Sequence, residues 1–126
     1  MTLDQTTLGI LAEALAKLDD GFRDLPEFTP QIDHDAVRAV LLEVAARMQD
    51  NYPYPHPFYA GQMLKPPHAV ARLAYALAQY INPNNHALDA ARASSAMERE
   101  AVAQIAAMIG WEAHLGHLTG GGTMAN

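Results

Sequence analysis

Residues 110–126 read GWEAHLGHLTGGGTMAN. Trp111 to Thr119 is short, carries a Leu115/Leu118 pair, and is predicted as one strand. Gly120-Gly121-Gly122-Thr123 follows, and then small residues. A strand, a run of glycines and a helix start are how an α/β fold builds an anion site. The glycines let backbone N–H groups approach an oxyanion, a threonine adds a hydroxyl, and the positive end of the next helix faces the charge. Only Met124, Ala125 and Asn126 follow Thr123, so two readings stand: a frayed tail, or the first half of a phosphate cradle.

Ahead of this stretch, hydrophobic spacing predicts four helices. In the first, Leu8, Leu11, Leu15 and Leu18 recur at three and four residues and form a narrow apolar stripe, which Gly21 stops. Pro26 and Pro30 keep the next stretch extended. The second helix opens at Asp33, a good N-cap, and carries Val37, Val40, Leu41, Val44 and Met48 on one face until Asp50-Asn51. The third starts with Pro66-Pro67 near its first position, runs through Val70, Leu73, Leu77 and Ile81, and ends at Asn82-Pro83-Asn84-Asn85. The fourth opens with Ser95-Ala-Met-Glu98, which fits a capping box, and shows Met97, Val102, Ile105 and Ile109 before Gly110, a natural left-handed stop. Between the second and third, residues 51–67 (NYPYPHPFYAGQMLKPP) hold five of the eight prolines. Proline fixes φ and constrains its predecessor, so a stiff, extended loop is predicted. Its aromatics Tyr52, Tyr54, Phe58 and Tyr59 need a surface to pack on, inside this chain or outside it.

Composition narrows the field. The chain has 126 residues, one domain at most. Half are hydrophobic, but 24 of those are alanine, and the aromatics are three Phe, five Tyr and one Trp. The absence of cysteine excludes a disulfide scaffold, a thiolate metal site and a cysteine nucleophile. A net charge of −6 argues against a nucleic-acid binder. No apolar run is long enough to span a membrane, and MTLDQTTLGI lacks the basic start of a signal peptide, so the cytoplasm is the expected compartment.

Three blocks, NYPYPHPFYAGQMLKPPH (51–68), INPNNHALDAARASSAMEREAV (81–102) and GWEAHLGHLTGGGTMAN (110–126), resemble the group II pyridoxal-phosphate-dependent decarboxylases, nearest to the bacterial tyrosine/aromatic L-amino-acid branch. The likeness runs in order over roughly residues 33–126, whereas the first helix is similar only in being helical and amphipathic. It implies a chain that is mostly α, forming the N-terminal segment of an α/β fold-type-I enzyme and ending at the first strand and phosphate loop of the large domain. The implied divisions are an N-terminal helix and arm (1–32), a helical segment (33–109) and the start of the cofactor-binding domain (110–126).

The same resemblance assigns Gly121, Gly122, Thr123 and Asn126 to the cofactor, with Gly122 and Thr123 holding its phosphate. It assigns His56, Pro57, Phe58 and Tyr59 to the substrate entrance near a homodimer interface. Partners would be the remainder of the enzyme, a second subunit and a small amino-acid substrate, with no nucleic acid and no membrane. Two departures stand out: Gly120 where relatives often have serine, and Ala90-Ala91-Arg92 where a Gly- or Pro-rich run is usual. The Schiff-base lysine of the family comes after the glycine motif. Lys17 and Lys65, the two lysines here, do not match it and read as surface charges. The chain is therefore expected to be inactive alone, with no catalytic residue of its own.

Other readings of the residues are weaker. His114 and His117 are three apart but diverge on a strand, and His34, His68 and His86 suit helix starts and turns, so no metal site is expected. His56 alone lies in a segment with an implied ligand. Asp19-Asp20 reads as a helix end, and Glu98 is accounted for by its cap. The Leu8–Leu18 stripe also fits a stand-alone helical module that binds a partner protein without catalysis, which is the alternative function.

Overall fold

The computed structural model describes residues 4–61 and 66–125. It contains helices α1 (Gln5–Asp20), α2 (His34–Met48), α3 (Ala69–Gln79) and α4 (Arg92–Ile109) and a single turn α5 (Gly122–Ala125). Among the described residues there is no strand, so the chain is mostly α. No described helix is long and apolar enough to cross a membrane. The chain divides into two units, Met1–Leu77 and Ala78–Asn126.

In the first unit, both long helices begin on an aspartate. The Thr7 amide donates to Asp4 Oδ1 at 2.6 Å, and the Ala36 amide donates to Asp33 Oδ1 at 3.0 Å. Each bond satisfies one of the amides that a helix start leaves free. The bond from the Thr7 amide holds the Asp4 carboxyl below its ordinary range. Gly21 ends α1 as expected, but with φ −69°, so its left-handed freedom is not used. The end is tightened instead by Gly21 N–H to Leu18 O and Phe22 N–H to Asp19 O, at 3.1 and 2.9 Å. Two acids in the last turn also oppose the helix dipole there. Along α1, Leu11, Leu15 and Leu18 are half-buried, while Leu8 is exposed.

Two expectations for this unit change. Pro66-Pro67 precede α3 rather than opening it. His68 occupies the start: its Nδ1 accepts from the Val70 amide at 3.3 Å and its carbonyl accepts the first helical bond, from Arg72, at 3.1 Å. Residues 53–59 of the proline loop are not extended. They make two successive turns, closed by His56 N–H to Pro53 O (2.7 Å) and Tyr59 N–H to His56 O (2.9 Å). Pro57 sits at the second position of the latter turn, where its fixed φ favours turning over extension.

In the second unit, Asn82 takes φ 42° and its amide reaches Ala78 O at 2.8 Å, which closes the end of α3. Ile81 thus lies past the helix. The Asn84 side chain accepts from the His86 amide at 2.9 Å, and Ala87 O accepts from Ala90 and Ala91. This turn delivers the chain into α4 at Arg92, earlier than Ser95. The capping box is therefore not formed: Ala91 is the N-cap, without a side-chain bond, and the Ser95 amide is used in the first helical bond, to Ala91 O at 3.0 Å. Ser95 Oγ is buried without a partner. The far end agrees with expectation. Gly110 has φ 80°, its amide reaches Ala107 O at 3.1 Å, and the Trp111 amide reaches Ala106 O at 2.9 Å, the paired closure of a Schellman motif.

Residues 111–119 are irregular, not a strand. A strand needs a neighbour to receive its amides, and among the described residues nothing pairs with this segment as a ladder.

Little is buried. Ala91, Ser95 and Ala106 are the buried residues among those described, and Val40, Leu41 and Met48 on the apolar row of α2 are each about 60% exposed. A folded monomer of this mass exposes about 6,600 Å², and two separate globules sharing the mass roughly 8,000 Å². This chain exposes 11978 Å².

Candidate functional site

Each unit carries one of the segments singled out in the sequence. In the first unit, Tyr59 gathers the loop aromatics. Its ring centroid lies 5.5 Å from Tyr52 and 4.9 Å from Tyr54, the latter edge-to-face. Its phenol lies over Gly61, where a β-carbon would collide with the phenol oxygen. Tyr59 is thereby half-buried among its own loop neighbours. His56 and Phe58 pair on their own, with centroids 5.3 Å apart, and the Phe58 amide donates to His56 Nδ1 at 3.2 Å. Phe58 is 92% exposed. Four residues, His56 to Tyr59, thus present one imidazole and one open phenyl on a proline-braced double turn.

In the second unit the glycine run makes a left-handed turn and then a helical one. Gly121 has φ 90°, a backbone state that side chains rarely adopt, and α5 begins at the next residue. Space is open where β-carbons at 120 and 121 would stand. Thr123 is exposed in the first turn of α5, where amides have no intrahelical partner. Asn126 lies outside the described residues, as does Lys65. Lys17 is exposed on α1.

The segment ahead of the glycines is held by a carboxylate that sequence reasoning gave to a cap. Glu98 Oε1 accepts from the Leu118 amide at 3.0 Å and lies 2.6 Å from His117 Nδ1. Glu98 Oε2 accepts from Asn85 Nδ2 at 2.8 Å, and Asn85 Oδ1 accepts from Ser94 Oγ at 2.6 Å. The Leu118 amide first, and then the Asn85 side chain, hold the Glu98 carboxyl below its ordinary range; desolvation opposes them, and the His117 ring adds to the lowering. One residue earlier, a β-carbon on Gly116 would stand 2.5 Å from Val102 Cγ1, so the segment runs close against α4. An open hollow of about 160 Å³, lined in part by Val102, Ile105, Trp111 and Leu115, lies beside this contact.

Sequence reading passed over Glu98, His117, Asn85 and Ser94 as functional residues. One signal was present: Ser94, Glu98, Val102 and Ile105 share a helix face by their four- and three-residue spacing, which places a carboxylate in an apolar row. Among the described residues, no three His, Asp or Glu side chains gather as a metal-ion site. No family model, curated protein or solved structure matches the chain.

Proposed function

We propose that these residues are the front part of a cytoplasmic, pyridoxal-phosphate-dependent decarboxylase of aromatic L-amino acids, working in a homodimer with the remainder of the enzyme. The observation that supports this is the left-handed Gly121 leading into the turn at Gly122, with Thr123 exposed in it. Consecutive amides in such a turn converge on one point and suit an oxyanion. The described residues that fit the cofactor fit its phosphate. The amides of Gly122 and Thr123 and the Thr123 hydroxyl would hold a dianion, each charge-assisted bond contributing about 1.5–3 kcal/mol. When bound, the cofactor supplies the electron sink for loss of carbon dioxide. The chain's other contribution is positional: His56 and Phe58 on their double turn would line the substrate entrance. Lys17, exposed on α1, has no desolvated pocket that would make it a nucleophile. The chain alone is therefore expected not to decarboxylate.

The test is an NMR titration of the 126-residue chain with pyridoxal phosphate, pyridoxal and inorganic phosphate. The amides of Gly121 to Thr123 are expected to shift with both phosphate-bearing ligands and not with pyridoxal. Gly121→Ala, strained at φ 90°, is expected to weaken both responses. Equal responses to pyridoxal and pyridoxal phosphate, or none at these amides, would sink the reading. A second reading, a helical module that binds a protein partner, draws support from the exposed apolar row of α2. Absence of any phosphate response would favour it.

A further inference from the structure

Among the described residues, the backbone between 112 and 121 makes one hydrogen bond to the rest of the protein, from the Leu118 amide to Glu98. That bond sits two residues ahead of Gly120. A residue spans at most about 3.6 Å, so fixing Leu118 confines the glycine turn to a short tether. Glu98 is itself fixed. Ser94 orients Asn85, Asn85 orients the second carboxylate oxygen, and α4 carries both Ser94 and Glu98. Bonds linked in this way reinforce one another. The Glu98 side chain is 16% exposed, whereas that of His117 is 74% exposed. The carboxylate is thus the sheltered anchor, and the imidazole is an outer contact that adds charge only when protonated.

We propose that Glu98 is the positioning residue of the glycine turn, a carboxylate latch that ties Leu118 and His117 to α4 and so sets where residues 120–123 present their amides. Its importance for ligand binding rests on reading that turn as a phosphate holder; the latch itself does not. The groups that bear on the carboxylate are Asn85 and Leu118 as donors and His117 beside it; Arg99 of α4 lines a second open hollow together with Glu98, Asn85 and His117. A protonated carboxyl loses the oxygen that accepts from Leu118. Because the folded carboxyl is held below its ordinary range, the latch stays complete down through that range and is lost only as pH falls below it.

The experiment follows the Leu118 amide by NMR in the full chain, with Glu98→Gln, Glu98→Ala and Asn85→Ala. In the wild type, its proton shift is expected to move in one step with acidification, with a midpoint below the ordinary glutamate range. In both Glu98 variants, the step should vanish and the amide should exchange about tenfold faster or more, the loss of one charge-assisted bond. Asn85→Ala, which changes no residue of α4, should give a smaller change in the same direction, even where Glu98→Ala perturbs the helix. Inorganic phosphate, read at Gly121 to Thr123, should be needed at several-fold higher concentration in Glu98→Gln. A Leu118 amide with no acid step, or one that exchanges equally fast in wild type and Glu98→Gln, overturns the latch. A wild type that ignores phosphate while Leu118 behaves as stated upholds the latch and removes the phosphate reading alone.

Discussion

A β-carbon at position 116 would stand 2.5 Å from Val102 Cγ1, nearer than two carbons approach without displacement. Valine is stiff at χ1, so an added methyl must lift the 114–118 segment rather than turn the valine aside. Gly116→Ala is therefore expected to weaken the Glu98–Leu118 bond from a distance, at a cost on the order of 1 kcal/mol. Faster exchange at Leu118 is the measurement. Adding Val102→Ala removes the opposing methyl and should restore most of the protection. A Gly116→Ala chain with unchanged Leu118 exchange would refute the close packing. At this scale the glycine turn was legible, because a left-handed φ at Gly121 needs a residue without a β-carbon. The Glu98 cluster was not. Ser95 and Glu98 match a capping box in spacing, and the turn at 87–91 that starts the helix earlier leaves no mark as specific in the residues.

Among elements, the four long helices follow from apolar residues three and four apart, and Asp33 and Gly110 mark ends that the structure keeps. What failed depends on neighbours. Residues 111–119 read as a strand by their leucines, but a strand exists only with a ladder partner. The proline loop read as extended, yet alternate prolines also suit consecutive turns. Helix α2 gives the clearest test, since it lies on one cap and one exposed Glu43–Arg47 pair, at 2.8 Å, with no buried residue. An exposed pair of this kind contributes a few tenths of a kcal/mol, while loss of an aspartate cap costs about 1 kcal/mol. Asp33→Ala is thus expected to lower helicity at residues 34–37 by circular dichroism and carbon chemical shifts. Asp33→Asn, which can still accept from Ala36, should lower it far less. Equal losses in the two variants would show that the cap bond is not what starts α2.

For the whole molecule, the deciding quantity is apolar surface without cover. The alanine-rich, aromatic-poor composition offers little bulk with which to close a core, and an exposed surface of 11978 Å² agrees. A chain that buries so little has a small favourable term to set against its conformational entropy, which is about 1–2 kcal/mol per ordered residue. Two behaviours follow at once. Heating should give a broad, weakly cooperative loss of helix instead of a sharp transition. The apolar row of α2, Val37, Val40, Leu41, Val44 and Met48, all exposed, should also draw copies together as concentration rises, because contiguous patches of this kind are rarely left bare. Sedimentation velocity across a concentration series reads the second behaviour directly. Replacing Val40 and Leu41 by glutamate should shift the distribution toward monomer and lower binding of a hydrophobic dye. It should leave α1 and α4 unchanged by amide chemical shift, because those helices do not depend on the α2 face for their caps. A sharp melt from a monomer that binds no dye would mean that the chain closes a core of its own, and the proposal that it works against a larger body would fall with it.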